Sequence, residues 1–156
     1  MWRRIGAALL CLLLLSQFAC KKAQDTSKEN HRIWLVYELQ TEDDVYEVLS
    51  KRYIDGEQIG EHGGSNHDGS KLGETFSDWV EYETDADGKE YDYSRFGIRL
   101  YVRNEPVDME NDAIFDGAVE VEPMLTFKAE FDHKYTIRIE GSREKGYTAA
   151  FLGEKK

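Results

Sequence analysis

From Arg32 onward, apolar and polar residues alternate with a period of two. Ile33, Leu35, Tyr37 and Leu39 interleave with Arg32, Trp34, Val36 and Glu38. The same alternation carries Phe96, Ile98, Leu100 and Val102, then Leu125, Phe127, Ala129 and Phe131, then Tyr135, Ile137 and Ile139. Each run predicts a half-buried strand, because successive strand side chains point to opposite faces. Less regular runs at 45–54, 79–84, 89–93, 119–122 and 147–152 predict further strands. A helical period is missing, and 41–50 offers a turn or two at most. Asp55-Gly56 and Asp87-Gly88 predict two-residue hairpin turns, since both central positions of a type I′ turn need positive φ. Asp116-Gly117 is a further turn. Pro106 and Pro123 fall between the predicted strands, where a missing N–H does no harm. About eight short strands predict an all-β fold, an antiparallel β-sandwich, with a barrel as the alternative.

The first residues follow another rule. Met1-Trp2-Arg3-Arg4 is basic, and 5–19 is a mostly apolar, uncharged stretch of 15 residues. A membrane-spanning helix needs about 20 apolar residues. A basic start, a short apolar middle and a small residue before the break describe a secretory signal peptide over 1–19. Ala19 is the small residue, and Cys20 follows it. The chain has two cysteines, and Cys11 leaves with the signal. Cys20 then has no partner for an intramolecular disulfide. A free thiol at Cys20 has no catalytic setting around it.

Residues 15–20 resemble the lipobox of a bacterial lipoprotein precursor, in which small and apolar residues precede a lipidated cysteine. Gln17 stands where that family usually has Leu, and Phe18 where it has Ala or Ser. The resemblance implies a thioether-linked lipid on Cys20 and two or three acyl chains (palmitate is the usual type). It places the protein in the bacterial cell envelope, facing the periplasm or the exterior. A plain secreted protein cut near Ala19 and an uncleaved N-terminal anchor are the competing readings. Residues 20–31 are polar and aperiodic, and read as a lipidated N-terminus with a tether. Residues 32–156 read as one domain.

Charge narrows the partners. Without Arg3 and Arg4 the balance is 18 basic against 31 acidic residues, a net −13. Such a field repels nucleic acid. It favours cations, cationic ligands or a basic protein partner, or serves solubility alone.

Two stretches are candidate sites. A hairpin closed at Asp87-Gly88 places Tyr82, Thr84, Tyr91 and Tyr93 on one face. Glu81, Glu83, Asp85, Glu90 and Asp92 then share the other. Loops of two or four residues keep these faces, and an odd loop scrambles them. Five carboxylates on one face describe a calcium site, a docking face for a basic partner, or a solvated surface. The spacing is not that of an EF-hand, because Ser94 stands where a bidentate Glu is required. The tyrosines read as core. The second stretch, GEHGGSNHDGSK at 60–71, offers His62, His67 and Asp68 as metal ligands, for instance to zinc. Its Gly- and Ser-rich composition reads better as a mobile surface loop between strands. Gly69-Ser70-Lys71 does not complete a phosphate-binding motif.

No nucleophile elbow, zinc-protease helix or Cys–His pair is present. The expectation is a non-catalytic, membrane-anchored envelope lipoprotein with a binding or structural β-domain. A metal-dependent exported protein or enzyme, using the acidic hairpin or the histidine stretch, is the alternative.

Overall fold

The computed structural model describes residues 31–81, 83–106 and 114–155. The signal segment 1–19, Cys20, the tether up to residue 30 and Tyr82 lie outside them. Arg32–Lys156 forms a compact unit of its own.

The unit is all-β. Its strands are β1 (Arg32–Thr41), β2 (Glu47–Ile54), β3 (Glu57–Ser65), β4 (Thr75–Glu81), β5 (Phe96–Arg103), β6 (Val119–Phe127), β7 (Lys134–Ser142) and β8 (Gly146–Lys155). A single 3₁₀ turn, Tyr93–Arg95, precedes β5. The hydrogen-bonded order is β3-β2-β5-β6-β8-β7-β1-β4. The ladder is thinnest in the middle of this order, where β6 and β8 share only the pairs Val121↔Tyr147 and Glu122↔Thr148. That junction and the β1–β7 pair are parallel. The sheet is therefore mixed, and the expectation of wholly antiparallel strands is corrected at these two places.

The inward residues are those of the predicted alternation. Ile33, Leu35, Tyr37 and Leu39 join Phe96, Ile98, Leu100, Val102, Leu125, Phe127, Ala129, Tyr135, Ile137 and Ile139 in one buried cluster. Fully burying such a side chain is worth about 1.5–3 kcal/mol over leaving it exposed. A one-residue slip would turn a whole strand's set outward, so burial fixes the register. Asp55 and Gly56 both have positive φ, 50° and 86°, as the predicted β2–β3 turn requires.

Three local expectations are corrected. Residues 60–65 are strand, not loop. Glycines are poor strand formers in isolation, but here neighbours occupy the space that side chains would need. A Cβ on Gly64 would meet the Phe76 ring at 2.5 Å, and one on Gly63 would meet Glu47 Oε1 at 2.7 Å. Pro123 lies inside β6, near the point where pairing with β5 shifts register between Ile98 and Leu100. An irregular ladder tolerates a residue without an N–H. The stretch 89–93 is not a strand; it contributes one bridge, Thr84↔Glu90, before the 3₁₀ turn.

The two ends of the strand order, β3 and β4, face each other. Side chains close the gap between them. Arg52 of β2 reaches β4, His62 of β3 meets Asp78 of β4, and Gly64 lies under Phe76. The sheet thus curls nearly closed along a seam that carries no backbone ladder among the described residues.

Candidate functional site

The seam concentrates the buried charge of the unit. On β2 the inward positions are Val48, Ser50, Arg52 and Ile54; on β4 they are Phe76, Asp78 and Val80. Cross-strand register places His62 opposite Ser50 and Gly60 opposite Arg52, so these share the inner face. Arg52 is 4% exposed and Asp78 3%. Asp78 Oδ1 lies 2.8 Å from His62 Nε2 and accepts from the Trp79 N–H at 2.8 Å. Arg52 Nη2 donates to the Trp79 carbonyl at 3.0 Å and stands 4.0 Å from Asp78 Oδ2. Both main-chain polar groups of Trp79 are therefore met by side chains where a neighbouring strand would otherwise meet them.

Tyrosines border this cluster. Burial, reinforced by the Asp78 charge, pushes the Tyr37 hydroxyl above the ordinary tyrosine range. Burial, with Glu83 nearby, pushes Tyr93 up to about 12. Glu83 is raised by burial and by Glu81, against the pull of Arg52. The hydroxyls of Tyr37 and Ser50 and the Arg52 Nε are buried without a protein partner.

Asp78 engages His62, and Ser50 lies opposite His62 in the β2–β3 register with its hydroxyl unpartnered. Ser50 is 1% exposed. The arrangement serves structure in this conformation.

On the outer face, Trp34 of β1 and Trp79 of β4 are paired in register. The Trp34 N–H bonds to His133 O, and that of Trp79 to Asp78. The two residues thus form a non-hydrogen-bonded pair, the kind whose side chains approach closest. Their rings sit 6.0 Å apart at 58°. The Arg32 guanidinium lies 4.8 Å over the Trp79 ring and 5.9 Å from Trp34. Glu81 bonds Arg32 at 3.3 Å and accepts from Trp79 Nε1 at 3.2 Å.

The sequence-predicted sites are dispersed. The Thr84↔Glu90 bridge encloses five residues, an odd loop, so Thr84 faces with Glu90 and the five carboxylates do not share a face. Asp87 keeps negative φ, and only Gly88 is positive, at 77°. The loop is held instead by Asp85, whose Oδ1 accepts from the N–H groups of Asp87 and Lys89 at 3.0 and 2.8 Å. Glu81 belongs to the tryptophan face and Glu83 leans toward Gly60. Asp92 caps the 3₁₀ turn by accepting from Ser94 N at 2.9 Å, a bond that holds its carboxyl below the ordinary range. His62 is in the seam, whereas His67 and Asp68 lie in the exposed turn after β3. Asp68 accepts from the N–H and hydroxyl of Ser70, which lower its carboxyl. Among the described residues, no three His, Cys, Asp or Glu side chains converge as a metal site.

Asp78, Arg52 and the tryptophan pair were not singled out from the sequence. In the structure Asp78 and Arg52 are opposite charges at inward positions of β4 and β2. An open groove of about 570 Å³, lined by Tyr53, Asp55, Arg95, Gly97 and Met124, lies elsewhere on the outer surface. Its two charges are already paired, Arg95 to Asp55 at 3.0 Å.

No family profile matches the chain, and no curated protein matches it. Similar solved structures include wild-type pneumolysin, with 14% identity and a TM-score of 0.34, covering 80% of this chain and 24% of that one. A disulfide-locked mutant of intermedilysin with human CD59 has 9% identity and a TM-score of 0.33, with the same coverage. The chain spans about a quarter of their length. Likeness this distant assigns neither family nor activity.

Proposed function

We infer that this is a lipid-anchored protein of the bacterial cell envelope whose β-domain binds or supports a partner without chemistry. The observation that carries the reading is in the first twenty residues: a basic start, a short apolar run, Ala19, and Cys20 as the lone cysteine left after cleavage. Two or more acyl chains give stable membrane attachment where one gives marginal binding. No helix among the described residues is long and apolar enough to cross a membrane. Among the surfaces that remain is the half-buried Trp34–Trp79 face.

The test is acylation and fractionation. Wild-type protein is expected to incorporate a labelled fatty acid and to sediment with membranes. Cys20→Ser is expected to lose both. Membrane fractionation of Cys20→Ser, with no acyl label in the wild type, overturns the reading.

A further inference from the structure

We propose that the Trp34–Trp79 face rests on the phospholipid headgroup layer of the membrane to which the chain is anchored. The inference depends on lipidation at Cys20, and the experiment below separates the two. Three observations carry it. First, the face sits where the tether enters the fold: Arg32 opens β1, and Trp34 is fourteen residues after Cys20. The eleven intervening residues before Arg32 reach at most about 40 Å, so the anchor keeps this end near the bilayer. Second, the composition is interfacial. Two half-buried indoles stand beside Arg32, and Lys134 is paired in register with Trp34 on the same face. Tryptophan favours the headgroup level, and Lys134, with Arg32 shared between Glu81 and the rings, supplies the cations that attract lipid phosphates. Third, the face is a poor sugar platform. The rings are 58° apart, and Arg32 already stands over the face of Trp79.

The acidic balance of the chain opposes free association with an anionic surface. The tether offsets this by raising the local concentration of lipid around the face. Contact is therefore expected in the anchored protein and absent from the unanchored one.

After removal of 1–19, Trp34 and Trp79 are the remaining tryptophans, since the third is Trp2. Tryptophan emission thus reports this face alone. Lipidated protein would be reconstituted into vesicles of phosphatidylethanolamine and phosphatidylglycerol, with plain or brominated acyl chains, and floated. The expected result is a loss of emission in brominated vesicles relative to plain ones. Trp34→Phe and Trp79→Phe, each keeping one reporter, should both still be quenched, and Arg32→Glu should be quenched less. Protein that floats with equal emission in both vesicle types overturns the proposal and leaves the anchor intact. Wild type that neither floats nor carries acyl label overturns the anchor and this contact with it. A response to peptidoglycan fragments without bromolipid quenching identifies a sugar site instead and also overturns it.

Discussion

Removing the Asp78 carboxylate should be the most damaging single change in the seam. Asp78 is 3% exposed and takes bonds from His62 and Trp79 at 2.8 Å each. Asp78→Ala strips both donors of their acceptor. It also leaves Arg52, 4% exposed, with the Trp79 carbonyl as a neutral partner and its Nε still unpartnered. Breaking a buried pair by deleting one member costs about 3–5 kcal/mol, because an uncompensated charge stays behind. Domains of ordinary stability have about 5–15 kcal/mol in total, so this loss takes a large share of it.

Urea unfolding, followed by both tryptophan emission and circular dichroism, reads the change directly. The midpoint should fall with little change in slope, since the surface exposed on unfolding is similar. Arg52→Met should suffer less than Asp78→Asn, because Asp78 keeps two donors. A double-mutant cycle on these two should show coupling of about 0.5–3 kcal/mol. A loss below about 1 kcal/mol for Asp78→Ala, with additive effects in the cycle, would refute the seam's role, as surface substitutions stay within about 0.5 kcal/mol.

Further outcomes follow from the same geometry. Tyr93 and Tyr147 are held up to about 12, chiefly by burial, and Tyr37 higher still. Raised values stabilise the fold below the ordinary tyrosine value of 10.0, and that stability is lost as pH rises through the folded values. Absorbance titration should show exposed tyrosines ionising first and these three only with unfolding; one smooth curve with native dichroism throughout counts against it. Glu83 is also raised, so its contribution is present below 4.5 and lost as pH rises through its folded value. Glu83→Gln should therefore raise Tm near neutral pH and lose that advantage below 4.5; an unchanged Tm at both ends would contradict it. Because Glu81, Glu83, Asp85, Glu90 and Asp92 diverge, and His62 is separated from His67 and Asp68, calorimetric titration with calcium or zinc should give no heat and no rise in Tm. Saturable heat would restore a metal site.

Inward parity was legible because it is a local property of one strand. Ile33 through Leu39 and Phe96 through Val102 face the core as the alternation requires. The strand β3 was not legible, because Gly60, Gly63 and Gly64 give no strand signal of their own. Their place is set by Phe76, Glu47 and Leu49 from other strands. The acidic hairpin failed for a related reason. Its faces depended on whether the loop was odd or even, and the Asp85 side chain, by capping the backbone of Asp87 and Lys89, set an odd one. The Asp78–Arg52 pair is set by the fold, because β4 begins at Thr75 and brings Asp78 inward. Neither strand alone reveals that the other supplies the counter-charge, and the predicted strand 79–84 begins after Asp78.

An edge strand normally offers its N–H and C=O groups to any passing strand. At Trp79 both groups are already engaged, by Asp78 and Arg52. The seam cluster thus blunts the exposed edge of β4 as well as pinning it to β2 and β3. These two roles separate under substitution. Replacing a buried ion pair with apolar residues of similar volume is often neutral or stabilising by about 1–4 kcal/mol. Arg52→Met with Asp78→Leu removes both charges together and should accordingly lower the unfolding midpoint less than Asp78→Ala, while leaving the Trp79 N–H and carbonyl without side-chain partners. Sedimentation velocity over a concentration series should then show self-association in the double variant and none in the wild type. A double variant equally stable and equally monodisperse would show that β4 is protected by the curl of the sheet alone, and that the buried charges have no part in guarding its edge.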